Sequence, residues 1–96
     1  MNECKHCTLE ASLCNLSKVI NGATWEYPAY LSIPSPTNGY ANFGIEFDGE
    51  NRYELIGNDE EGASGGAITL TGDETETELK AKVFELFHLL YETEGN

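Results

Sequence analysis

Hydrophobic and polar positions alternate with two different periods along this chain of 96 residues. Near the N terminus, four apolar residues recur at helical spacing: Leu9, Leu13, Leu16 and Ile20. This spacing predicts a first helix. Thr8 is its expected N-cap, because a hydroxyl at that position can accept a backbone N–H of the first turn. Asn21 and Gly22 are expected to end the helix, since both residue types tolerate the left-handed conformation.

The central segment changes to a period of two, which is typical of strands with one buried face. Odd-numbered apolar residues run from Ala23 to Ile33 and again from Ala41 to Phe47. Two shorter strands are predicted over residues 52–56 and 67–71. Pro28 cannot donate a ladder hydrogen bond, so the first strand is expected to lie at an edge or to break there. Turn-forming residues separate the predicted strands.

A second helical stripe follows, formed by Leu79, Val83, Leu86, Phe87 and Leu90. Thr75 and Glu78 have the spacing of a capping box before it, and Gly95 is the expected stop after it. The order of elements predicts an α+β fold, a four-stranded antiparallel meander with both helices packed on one face. Residues 1–96 are expected to form a single domain, with residues 1–7 as an N-terminal tail.

Charge is distributed unevenly over this predicted fold. The chain has 17 acidic and five basic residues, a net charge of −12. Residues 1–44 contain three acids and two bases, whereas residues 45–96 contain 14 acids and three bases. Such a field repels phosphate backbones and anionic lipids and attracts basic surfaces. We therefore expect a basic protein surface as the partner, and no direct binding of nucleic acid or membrane.

The predicted meander arranges part of this charge on the sheet face opposite the helices. Strand alternation places Glu26, Glu46 and Glu54 on that face. Further acids are expected at its rim: Asp48, Glu50, Asp59, Glu60 and Glu61. Tyr30 and Tyr40 alternate to the same side, where aromatic rings can act as anchors. These ten residues are the predicted partner-binding set.

The cysteines are the other candidate for chemistry. Cys4 and Cys7, with Cys14 and His6, offer ligand types that zinc prefers, which is the basis of an alternative function as a zinc-stabilised adaptor. A second alternative is a redox pair, because a Cys-x-x-Cys motif at a helix N terminus lowers the pKa of one of its thiols. The missing second ligand pair and the terminal position favour a third interpretation, a frayed terminus with two exposed reduced thiols, a buried Cys14 and no cofactor.

No catalytic motif emerges, so an enzyme is not expected. The glycine-rich run after Glu61 lacks the Lys-Ser/Thr ending of a phosphate-binding loop. The chain has neither a long apolar run nor the apolar stretch of a signal peptide, so a cytoplasmic location is expected. On the last helix, Phe84, Leu89 and Tyr91 widen the apolar surface. They either wedge the helix inside the fold or form a second contact surface, such as a homodimer interface.

In size and charge, though in no motif, the chain resembles small acidic inhibitors of phages and mobile elements, the anti-CRISPR and anti-restriction proteins. The resemblance implies a mechanism in which carboxylates imitate nucleic-acid phosphates and occupy a basic groove of a nuclease or CRISPR-type complex. It carries over no residue, because those proteins share no common fold.

Overall fold

The computed structural model describes residues 4–26, 29–35, 39–49, 52–59 and 65–92; for Glu92 it describes the backbone alone. Within them, the chain forms two helices and five strands. In chain order these are α1 (Lys5–Val19), β1 (Thr24–Glu26), β2 (Tyr30–Pro34), β3 (Tyr40–Phe47), β4 (Tyr53–Asn58), β5 (Gly65–Leu70) and α2 (Glu76–Glu92). The strands form one antiparallel sheet in the order β1-β2-β3-β4-β5. The predicted α+β meander is confirmed, but its predicted number of strands is wrong.

The additional strand arises where the sequence predicts one long strand over residues 23–33. The structure has two strands there, β1 ending at Glu26 and β2 beginning at Tyr30, which pair with Trp25 opposite Leu31. Pro28 itself lies outside the described residues. The interruption agrees with a proline that cannot donate to a ladder. A break at this point was one of the two expected outcomes.

Helix α1 begins earlier than the sequence predicts. Cys4 is its N-cap, and the Cys4 Sγ atom accepts the backbone N–H of Cys7 at 3.1 Å. The predicted Thr8 cap is wrong: the Thr8 hydroxyl donates to the carbonyl oxygen of Cys4 at 3.2 Å. Residues 4–7, predicted as tail, therefore form the cap and first turn, while residues 1–3 lie outside the described residues. After the helix, Gly22 has the positive φ of 84° that its predicted stop requires.

Helix α2 begins as the sequence predicts. The Thr75 amide donates to Glu78 Oε1 at 2.9 Å, and the Glu78 amide donates to Thr75 Oγ1 at 3.1 Å. These reciprocal bonds are a capping box, and they satisfy two backbone donors at the helix start. The predicted stop at Gly95 lies outside the described residues.

Both helices pack on one face of the sheet and form a single core with it. Leu13 of α1 and Leu79 of α2 are fully buried, together with Phe43 and Leu55 of the central strands. Gly57 lets α2 approach β4, because a Cβ atom there would lie 2.8 Å from Leu86 Cδ2. The two helices thereby leave the other face of the sheet uncovered, and that face holds the candidate site. Neither described helix has the length and apolar character needed to cross a membrane.

Candidate binding site on the open sheet face

The sheet face away from the helices, called the open face below, is ordered in rows by the strand register. The central row contains Glu26 opposite Tyr30, and Gly44 opposite Ile56. Beside it, Glu46 lies opposite Glu54, which in turn lies opposite Thr69 of β5. On the other side of the central row, Ser32, Asn42 and Asn58 face one another across β2, β3 and β4. The open face is thus acidic along one edge of the central row and uncharged along the other.

A groove of about 330 Å³ lies on the open face and extends to α1. Gly44 lies in it, and a Cβ atom at this position would approach Tyr30 Cδ1 to 3.1 Å. The ring of Tyr30 can lie against β3 because glycine has no side chain there. The groove is lined by Glu10, Ala29, Tyr30, Asn42, Gly44, Ile45, Glu46, Ile56 and Asn58. Ligand clefts begin at about 300 Å³, so this groove suits one side chain or a similarly small group.

One groove carboxylate, Glu10, comes from α1 and is positioned by His6. The Nε2 atom of His6 lies 3.3 Å from Glu10 Oε2 and 3.1 Å from the carbonyl oxygen of Ile45. Both neighbours are acceptors, so Nε2 carries the hydrogen that it donates. The first turn of α1 is in this way attached to β3 beside the groove, and Glu10 in the next turn reaches the groove.

The second groove carboxylate, Glu46, belongs to an unfavourable pair. Glu46 is exposed and Glu54 half-buried, and they lie directly opposite on neighbouring strands. Like charges in this arrangement destabilise a sheet. Within the described residues, neither carboxylate has a cation at ion-pair distance. A basic group bound between them would replace this repulsion with attraction.

The structure distributes the other predicted site residues over several places. Glu26 lies exposed on the outermost strand and accepts a hydrogen bond from Thr24 Oγ1 at 2.8 Å. Tyr40, 48% exposed, begins β3 and is not among the residues that line the groove. Asp59 is half-buried just after β4. The remaining predicted acids Glu50, Glu60 and Glu61 lie outside the described residues.

Asp48 has a local structural role. Its carboxylate accepts the backbone N–H of Arg52 at 3.2 Å and forms an ion pair with the Arg52 guanidinium, also at 3.2 Å. These contacts join the end of β3 to the start of β4. Arg52 partly neutralises the charge of Asp48. The predicted residues that the register places directly opposite one another are Glu46 with Glu54, and Glu26 with Tyr30.

Sequence reasoning missed several groove residues. Glu10, Ile56 and Asn58 line the groove but are not among the predicted partner-binding residues. The signal that could have located the groove is Gly44, since an isolated glycine within a strand pattern often marks a close approach of another group. The contribution of Glu10 depends on how α1 packs, which no local pattern reveals.

The expectation of reduced cysteines is wrong for two of the three. Cys4 and Cys7 form a disulfide, and Cys14 is a free, half-buried thiol. Cysteines bonded to each other cannot bind zinc as thiolates. In the described part of the chain, no three Cys, His, Asp or Glu side chains converge in a way that could hold a metal ion. The structure gives no support to the zinc alternative, and residues 4–7 do not form a frayed terminus.

The apolar extension of α2 is only partly accessible. Phe84 and Tyr91 are half-buried, and the rings of Phe87 and Tyr91 pack with their centroids 4.9 Å apart. Leu89 is 54% exposed. Of the three residues, Tyr91 packs against the core, as the wedged alternative predicts. A second contact surface, such as a homodimer through Leu89, stays a prediction.

No protein-family model, curated protein or solved structure matches the chain. The resemblance to anti-CRISPR and anti-restriction inhibitors therefore stays a prediction. Function has to be argued from the geometry and charge of the open face.

Proposed function

We propose that this chain is a small binding protein whose open face takes a basic surface of a protein that handles nucleic acid. The observation that carries the proposal is the opposed pair Glu46 and Glu54 beside the groove. A fold that needs acids only for solubility gains nothing by placing two of them in direct repulsion. A binding surface gains affinity from the same arrangement, because a bound cation relieves the repulsion.

The groove suits a Lys or Arg side chain of such a partner. Glu10 and Glu46 supply carboxylates, which form charge-assisted hydrogen bonds with ammonium and guanidinium groups. The Tyr30 ring is 45% exposed, so it can also contribute a cation–π contact. Asn58 provides a carboxamide on the uncharged side of the groove. Asn42 Oδ1 accepts the Ser32 hydroxyl at 2.6 Å and can accept one further hydrogen bond. Together these groups recognise a basic side chain by charge, shape and hydrogen bonding.

The class of partner follows from charge complementarity. Basic clusters that hold phosphates also accept an array of carboxylates, and electrostatic complementarity raises the rate of association with such clusters. The protein would thereby compete with nucleic acid for a nuclease or CRISPR-type complex. It would act by binding, without catalysis, and would contact neither nucleic acid nor membrane itself.

Single charge reversals with a matched control test this proposal. Wild type, Glu46→Lys and Glu85→Lys are each immobilised and exposed to a lysate of the source cells. Glu85 is exposed on α2, away from the open face, and its reversal changes the net charge by the same amount. A protein retained by wild type and by Glu85→Lys, but not by Glu46→Lys, is then purified. Its binding to nucleic acid is measured with increasing amounts of this chain.

We expect wild type and Glu85→Lys to displace nucleic acid from that protein, and Glu46→Lys to displace it at least about tenfold less effectively, the loss that about 1.4 kcal/mol of binding energy produces. Equal displacement by all three proteins would show that the open face is not the binding surface. Retention without any displacement would show that the chain binds a partner but does not mimic nucleic acid.

A further inference from the structure

The Cys4–Cys7 disulfide occupies the N terminus of α1, with both cysteines exposed. The two sulfurs are not equivalent. Cys4 is the N-cap, and its Sγ atom accepts the backbone N–H of Cys7 at 3.1 Å. A thiolate at Cys4 would keep this hydrogen bond and would also face the positive end of the helix dipole. Breaking the disulfide therefore leaves a stabilised anion on Cys4.

The disulfide adds little to the stability of the fold. It closes a loop between residues only three positions apart, and the entropic benefit of a cross-link is smallest for the shortest loops. Helix α1 is attached to the core by Leu9, Leu13 and Leu16, which are all buried. Its first turn is also attached by His6 to β3 and by Lys5 to Asp73 at 3.4 Å. An exposed disulfide with little structural role is the kind that exchanges with thiols.

We propose that Cys4–Cys7 is a thiol–disulfide exchange site that accepts two electrons from a dithiol. One thiolate of the dithiol attacks Cys7 Sγ and forms a mixed disulfide. The Cys4–Cys7 bond breaks, and its electron pair moves to Cys4 Sγ, where the Cys7 amide and the helix N terminus hold the thiolate.

The second thiolate of the dithiol then attacks the dithiol's own sulfur in the mixed disulfide. The dithiol leaves as a disulfide, and Cys7 is released as a thiolate that takes up a proton. The reaction transfers two electrons to the cysteine pair and one proton to Cys7, while Cys4 remains a thiolate, and it is reversible towards a disulfide substrate. This activity is independent of the proposed binding function, because Cys4 and Cys7 do not line the groove.

The test uses the purified full chain in buffers with different ratios of reduced to oxidised glutathione. Free thiols are trapped by alkylation, and the peptides that contain Cys4, Cys7 and Cys14 are separated by mass. In a second measurement, the reduced chain is alkylated at neutral pH both folded and unfolded in urea. Cys4→Ser serves as the variant that lacks the stabilised thiolate, and serine at an N-cap preserves the helix start.

We expect Cys4 and Cys7 to lose and regain their bond together across these ratios, while circular dichroism stays unchanged. Cys4 should react severalfold faster in the folded chain than in the unfolded one, because only the folded helix stabilises its thiolate. In Cys4→Ser, oxidised glutathione should leave a persistent mixed disulfide on Cys7. A pair that stays fully oxidised or fully reduced at every ratio would overturn the proposal. Slower reaction of Cys4 after folding would overturn it equally.

Discussion

At the scale of single residues, Glu74 has a role inside the fold. It is only 9% exposed, and its two carboxylate oxygens accept the backbone N–H groups of Thr71 and Gly72 at 2.8 and 3.0 Å. Burial by itself would raise the pKa of Glu74. The backbone hydrogen bonds outweigh burial and hold this pKa below its ordinary value of 4.5. Glu74 therefore stabilises the turn before α2 as an anion.

The sign of the pH dependence follows from the lowered pKa. Ionised Glu74 contributes stability above the ordinary carboxyl pKa, and this contribution is lost as the pH falls through the lower pKa of the folded state. We expect Glu74→Gln to lower the free energy of unfolding by about 1–3 kcal/mol at neutral pH. The difference from wild type should shrink in acid. Urea titrations of both proteins at neutral and at acidic pH measure it, and a difference that does not depend on pH would contradict the assigned role.

At the scale of elements, α2 packs against the sheet through one buried face, and its other face is exposed. Leu86 is 1% exposed and packs against β4 where Gly57 has no side chain, whereas Leu89, three residues later, is 54% exposed. A helix of this kind draws most of its stability from the buried stripe rather than from intrinsic propensity. The two leucines therefore form a matched pair for testing how the helix packs.

We expect Leu86→Ala to lower the free energy of unfolding by about 2–5 kcal/mol, because the truncation removes buried methyl groups and leaves a cavity. Leu89→Ala, with the same chemical change at an exposed position, should cost at most about 0.5 kcal/mol. Urea denaturation followed by circular dichroism measures both values. Equal losses for the two variants would mean that α2 packs through a different face or that Leu89 is covered in solution by a second copy.

At the scale of the whole molecule, the net charge of −12 exceeds the magnitude of about 2–8 that keeps a small domain in solution. Mutual repulsion of so many carboxylates destabilises the compact state. The opposed pair of Glu46 and Glu54 concentrates part of that repulsion at one place in the sheet. The fold thus carries an electrostatic cost that a basic partner would remove.

Salt and a neutral variant measure this cost. We expect wild type to become more stable as salt rises from about 50 to about 500 mM, because the screening length becomes shorter. Glu46→Gln should be more stable than wild type at low salt by about 0.2–1 kcal/mol, the size of cross-strand pair effects. The further increase in stability with rising salt should be smaller for Glu46→Gln than for wild type. Glu85→Gln removes the same charge from α2 and should give no comparable gain. Equal gains for the two variants would show that only the overall charge matters.

The sequence by itself determined the elements whose signals are local. The buried stripe from Leu79 to Leu90 and the capping box of Thr75 and Glu78 depend on residues within a few turns of each other, so the period and the spacing were sufficient. The alternation up to Phe47 likewise indicated strands, and the short turn-forming connections between them indicated antiparallel pairing. The strand number was missed because two strands that pair across a short connection, as β1 and β2 do, have the same period of two as one unbroken strand.

Only the tertiary structure decided which side chains meet. Glu46 and Glu54 are eight positions apart in the chain, and their direct opposition depends on the register of β3 with β4. Glu10 reaches the groove because His6 attaches α1 to β3, and the N-cap role of Cys4 follows from where that helix begins. Register and helix docking are set by the whole core, since a shift of one residue would reverse every strand side chain. No short stretch of sequence contains that information.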